Sequence, residues 1–220
     1  MNHLIDAVEL LLDPGAWGGT GGFGVRSFEH VWYTALALVI SAVIALPAGL
    51  VIGHTGRGRA LAVLSTGMVR ALPTLGLITL AALFLGIGLS APMIAFVVLA
   101  VPSIIAGAYA GVESVDPITV DAAKAQGMSG WQVLTRVEIP LGLPLIIGGL
   151  RIAALQVVAT ATLAAYVGAG GLGRQLFLGL RTQDYALMLA ASLAVILLAI
   201  ILDAAFDITQ RLLRRMPGLT

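Results

Sequence analysis

The chain has 220 residues, 59% of them hydrophobic and 10% charged, with a formal net charge of +1 and no cysteine. Its mean hydropathy of +1.03 marks an integral membrane protein, and the charge balance leaves no excess basicity for nucleic acid. Without cysteine there is no disulfide framework, no thiolate metal site and no cysteine nucleophile.

The first thirty residues carry Asp6, Glu9 and Asp13 and no Lys or Arg before Arg26. A cleavable signal peptide starts with positive charge, so this segment is expected to stay on the mature protein. "HLIDAVELLL" reads as a short amphipathic helix, and "PGAWGGTGGFG" after it as a flexible Gly-rich linker, so residues 1–30 are expected to be peripheral and extracytoplasmic.

Residues 31–53 then run for 23 positions without a charge. At about 1.5 Å per residue they can cross a hydrocarbon core of about 30 Å. From Ala71 to Val112 there is no charge for 42 residues, and "GIGLSAP" breaks that run near its middle, which predicts a hairpin of spans two and three. A fourth apolar segment covers residues 141–166 around Arg151, and a fifth covers residues 185–202. The fold expected is all-α with five transmembrane helices. Residues 31–210 form the membrane domain, with a loop at 113–140 and a tail at 211–220. Pro47, Pro92, Pro102 and Pro144 are expected to bend or begin helices.

With the loop after span one in the cytoplasm, the inner side holds Arg57, Arg59, Lys124, Arg136, Arg211, Arg214 and Arg215 against Arg26, Arg174 and Arg181 outside. Seven against three predicts an outer N-terminus and an inner C-terminus. Trp32, Tyr33, Tyr166 and Tyr185 then fall at the outer ends of their spans, where amphipathic rings prefer the headgroup region.

Between spans three and four, Asp116 is placed to cap a helix that has Pro117 at its first position. Gly127 suits the left-handed residue that ends that helix. Ser129 and Gln132 then form a capping box for a second helix, which is expected to stop near Pro140.

After span four comes "GAGGLG", with Gly168, Gly170, Gly171 and Gly173 in the G-x-G-x-x-G spacing of a dinucleotide loop. A membrane helix precedes it rather than a strand, and Arg174 and Gln175 stand where a phosphate loop has lysine and a hydroxyl, so nucleotide binding is not expected. Two readings stay open: a Gly-rich turn on the outer side followed by a short interfacial helix, "RQLFLGLRTQ", or a mobile gate beside the path.

The loop between spans three and four resembles the cytoplasmic signature of the permease subunits of binding-protein-dependent ATP-binding-cassette (ABC) importers: E-A-A, three residues, G, nine residues, I-x-L-P. Here Asp121, Ala122, Ala123, Gly127, Val137, Ile139 and Pro140 stand at those positions, with aspartate for glutamate, valine for isoleucine and isoleucine for leucine. The resemblance covers roughly residues 30 to 210 and implies the five-helix type I importer permease fold in a bacterial or archaeal cytoplasmic (inner) membrane. It implies that these residues dock on a cytoplasmic ABC ATPase dimer, that ATP and Mg bind to that partner, and that this chain carries no cofactor and catalyses no covalent reaction. A second permease copy or paralogue, a separate extracytoplasmic substrate-binding protein and membrane lipid complete the implied partners. "RALPTLGLITL", "SVDP" and "GLRIAALQVVATATLAAYVGAGGLG" look most like the branch that moves glycine betaine, choline or carnitine. Methionine-importer permeases share the plan. No substrate-binding residue and no aromatic cage can be placed from the sequence.

Arg70 and Arg151 fall near or within apolar segments, where both are expected to snorkel toward the cytoplasmic face; lining the path or holding two halves of a dimer is the alternative. Asp203 and Asp207 lie one turn apart, with Arg211 four residues beyond Asp207, and are expected to mark the cytoplasmic end of span five. A rival of another class is an ion-driven secondary transporter using those aspartates, which would usually need inverted repeats, and none is evident.

Overall fold

The computed structural model describes residues 2–214, leaving aside the side chains of residues 61, 63, 65, 66, 68, 70 and 214. The side chain of Arg70, that of Arg214, and the tail from Arg215 lie outside the described residues. The elements are α1 (His3–Leu12), α2 (Pro14–Trp17), α3 (Phe23–Thr55), α4 (Arg59–Arg70), α5 (Thr74–Leu85), α6 (Ser90–Glu113), α7 (Pro117–Ala125), α8 (Gly130–Val133), α9 (Ile139–Ala161), α10 (Gly173–Thr182) and α11 (Tyr185–Arg214). A π turn, Leu134–Glu138, joins α8 to α9, and a 3-10 stretch, Thr162–Val167, follows α9. No strand occurs among the described residues.

Among the described residues, four helical stretches are long and apolar enough to cross a membrane: Phe23–Thr55, Ser90–Glu113, Gly130–Val167 and Tyr185–Leu213. The remaining expected span is the shorter apolar helix Thr74–Leu85. It is short because the backbone turns extended at Pro73 and ends at Gly86, whose φ of 80° suits glycine. The stretch before it, read as loop, forms α4.

Two compact units emerge. The first comprises the chain to Leu38, Leu72–Val97 and Ala154–Leu202; the second comprises Val39–Ala71, Val98–Ala153 and the chain from Asp203. In the first, Ala7 of α1 packs with Phe23, Leu172, Ala190, Ala191 and Ala194 in one buried cluster. The segment expected to be a flexible linker is instead a fitted corner. Asp13 caps α2 by accepting from the Gly15 N–H at 2.9 Å, the Trp17 indole N–H donates to the Leu11 carbonyl at 2.8 Å, and a Cβ at Gly22 would overlap the Gly18 carbonyl. Helix α3 begins eight residues before the uncharged stretch because Arg26 and Glu29 pair at 2.8 Å, so charge does not end it.

In the second unit, small residues let helices approach at backbone distance. A Cβ on Gly107 of α6 would lie 2.5 Å from the Gly149 Cα of α9, and one on Gly111 would lie 2.7 Å from the Gly142 carbonyl oxygen. On α3, Gly49 and Gly53 give α6 the same room beside Ala108 and Val112. This is the small-residue packing of membrane helices, where van der Waals contact replaces a hydrophobic driving force. Pro47, Pro102 and Pro144 lie inside α3, α6 and α9, and Pro92 sits in the first turn of α6.

Candidate coupling loop and glycine loop

Helix α7 forms where its caps require it. Asp116 accepts from the Ile118 N–H at 2.8 Å, Pro117 occupies the first turn, and Gly127 adopts φ 85°, with its N–H donating to the Lys124 carbonyl at 2.9 Å. The capping box is present in both directions: the Ser129 N–H donates to Gln132 Oε1 at 2.8 Å and the Gln132 N–H to Ser129 Oγ at 3.4 Å. Asp121 and Ala122 are exposed, Ala123 is buried, and Lys124 stands 3.8 Å from Asp121, a pair too loose and too wet to hold the helix.

The second helix does not stop at Pro140. It continues from Gly130 to Val167 as one spanning stretch, and the π turn is the reason. The Ile139 N–H donates to the Leu134 carbonyl five residues back rather than four. That wider register relieves the clash between a proline ring and the preceding turn, so Val137, Ile139 and Pro140 of the signature lie on a continuous helix.

Three contributors to this loop were missed in the sequence. Glu138, between Val137 and Ile139, is buried and 2.5 Å from His54 Nδ1 at the end of α3. An acid flanked by apolar residues was the available signal; its partner 84 positions away was not. Ile118 and Trp131 are 76% and 73% exposed, two large apolar side chains left uncovered on α7 and α8.

The glycine loop does hold an anion, and the anion is the chain's own. Glu29 Oε2 accepts from the Gly171 N–H at 2.8 Å while Arg26 pairs with the same oxygen. Gly168 and Gly171 have φ 84° and 83°. A Cβ at Gly170 would overlap the Glu29 carboxylate, and one at Gly173 would overlap the Thr162 carbonyl. His30, fully buried, donates from Nε2 to the Val158 carbonyl at 2.9 Å and packs its other edge against Gly171. The glycines therefore serve close approach, and Glu29 ties the loop to α3. The expected short helix follows as α10, and Gln175 ties it to the Gly21 carbonyl at 2.6 Å.

Arg151, expected to snorkel toward the cytoplasmic face, meets counter-charges at the end of span five. Its Nε and Nη2 hold Asp203 at 2.6 and 2.7 Å, and its Nη1 reaches Gln210 at 3.2 Å. Arg211 pairs with Asp207 at 2.7 Å, as the four-residue spacing predicts.

The OpuCB permease of the glycine betaine/carnitine/choline transport system of Bacillus subtilis is 30% identical over 84% of this chain and 86% of its own length. The osmoprotectant import permease OsmW of Salmonella typhimurium is 32% identical over 90% of this chain and 93% of its own. A solved chain from inward-facing conformations of the MetNI methionine ABC transporter superposes with a TM-score of 0.75 over 88% of this chain and 96% of its own; at 22% identity it speaks for the fold alone. Residues 45–215 match the family described as the inner membrane component of binding-protein-dependent transport systems, and the chain belongs to that family.

Proposed function

We propose that the chain is the permease subunit of an importer for quaternary-amine osmoprotectants such as glycine betaine, choline or carnitine. It supplies half of the translocation path beside a second copy or paralogue, takes substrate from an extracytoplasmic binding protein, and passes the work of a separate ATPase dimer into the membrane through loop 113–140. ATP and Mg belong to that ATPase. The N-terminus and the glycine loop lie outside, and the C-terminal tail lies in the cytoplasm.

One observation carries this reading: the capped helix, Gly127 turn and capped helix present Asp121, Ala122 and Gly127 of the signature on an exposed surface from which Ile118 and Trp131 project. Exposed large apolar side chains beside a small-residue helix suit a docking surface, where buried aromatics dominate binding. The substrate class rests on the permeases named above. A gradient-driven transporter coupled through Asp203 and Asp207 is disfavoured because both carboxylates are held by arginines.

Proteoliposomes containing the permease, its ATPase and its binding protein should accumulate at least one of glycine betaine, choline and carnitine, with ATP enclosed on the ATPase side. Uptake of methionine alone would overturn the substrate class, and uptake without ATP would overturn the coupling.

A further inference from the structure

Pinning the glycine loop has a consequence for the face of α10 that it positions. Because Gly173 lets α10 start against the Thr162 carbonyl, the helix lies beside the 3-10 stretch and the two enclose an open cavity of about 840 Å³. Arg174, Phe177 and Arg181, spaced three and four apart, line it from one helical face, and Tyr166 lines it from the 3-10 side. The Tyr166 and Phe177 rings stand 5.9 Å apart at 54°, forming an aromatic corner. Among the described residues neither Arg174 nor Arg181 has a carboxylate within salt-bridge distance. Glu29 is in contact with Arg26 and Gly171 and reaches Arg174 only through longer-range attraction, and Asp184 accepts the Leu187 N–H at the start of α11.

Two guanidinium forks without a carboxylate in contact call for a carboxylate or similar oxyanion, which arginine binds in bidentate fashion. Aromatic faces within about 6 Å of a cation call for an ammonium, and for a quaternary one above all, since it has no N–H to satisfy. A bare quaternary amine would meet two like charges here, and a bare inorganic anion would leave the rings unused. A molecule that joins a quaternary ammonium to a carboxylate uses both. We infer that this cavity is a transit site for quaternary-ammonium carboxylates, with the Arg174 and Arg181 guanidinium groups taking the carboxylate and Tyr166 and Phe177 the ammonium. The inference rests on the transport reading above and narrows it, placing selection for the zwitterion over the simple cation partly on this chain.

The test uses the complete complex in vesicles of phosphatidylethanolamine and phosphatidylglycerol, which offer no choline headgroup to the site. Uptake of glycine betaine and of choline is measured for the parent, for the double variant Arg174→Gln/Arg181→Gln and for Phe177→Leu, and uptake of carnitine for the parent. The arginine variant should lower the ratio of glycine betaine to choline uptake about tenfold, the scale of a lost charge-assisted contact, and Phe177→Leu should raise the KM for glycine betaine about fivefold. A merely structural role would lower both uptakes together and leave the ratio unchanged, which overturns the site. A parent that imports choline but no glycine betaine also overturns the site while leaving the transport reading intact. A parent that imports none of glycine betaine, choline and carnitine overturns both.

Discussion

Gly127 is the residue on which the loop at 113–140 turns, and the space around it separates two reasons for being glycine. Its φ is 85°, yet among the described residues no atom beyond its chain neighbours lies within 4 Å of where a Cβ would stand, so a substitution there meets backbone strain and no collision. Gly127→Val should cost about 1 to 3 kcal/mol in an exposed loop, too little to expel apolar helices from a bilayer but enough to misorient a docking helix. Gly127→Asn, which tolerates the left-handed region, should be milder. The expected result is normal membrane insertion for both, with weak ATPase copurification and little uptake for the valine variant alone. Equal transport by all three proteins would remove this loop from the coupling role. The conformation of Gly127 was legible in the sequence because helix caps are local. The need for Gly170 and Gly173 was legible only as a pattern, since Glu29 and the Thr162 carbonyl come from elsewhere in the chain and no spacing rule announces them.

Helices in the second unit are held at distances that only glycine permits, and that gives an element-scale prediction. A side chain on Gly107 or Gly111 of α6 would enter the backbone of α9, and backbone cannot swing aside as a side-chain tip can. Overpacking typically costs about 1 to 3 kcal/mol, and a collision with main chain belongs at the upper end. Gly107→Leu should lower the melting temperature of the detergent-purified protein clearly. Gly67→Leu on α4, where no described atom beyond its own turn of helix lies within 4 Å, should leave it nearly unchanged. Equal melting temperatures would mean that α6 and α9 are not packed this closely. At this scale the uncharged runs located the long spans, and the caps located α7 and α8. The π turn was illegible because proline reads as a stop. A wider helical register that accommodates Pro140 depends on which carbonyl the Ile139 N–H selects, and composition does not record that choice.

At the scale of the whole molecule, orientation decides whether the other assignments are mutually consistent. The basic residues Arg57, Arg59, Lys124 and Arg136 gather in the loops after span one and between spans three and four, and positively charged loops are retained in the cytoplasm. A docking surface for an ATPase must lie there too, so the charge bias and the signature at Asp121 to Pro140 make the same demand from unrelated physics. The Arg151 pairs with Asp203 and Asp207 add no vote, because charges that neutralise one another within the helices carry little topological signal. Since the chain has no native cysteine, single cysteines report without background. Those at Gly19 and Gln175 should react with a membrane-impermeant maleimide in intact cells, and those at Gly58 and Ser129 should react only after the membrane is permeabilised. Gly19, Gly58 and Ser129 are exposed, so lack of labelling at any of these three reports the membrane barrier rather than burial. Gln175 is partly buried and bonded to the Gly21 carbonyl, so it should label more slowly than Gly19 but from the same side. The reverse pattern would put the Gly127 turn outside the cell, where no ATPase could meet it, and would overturn the coupling assignment together with the topology.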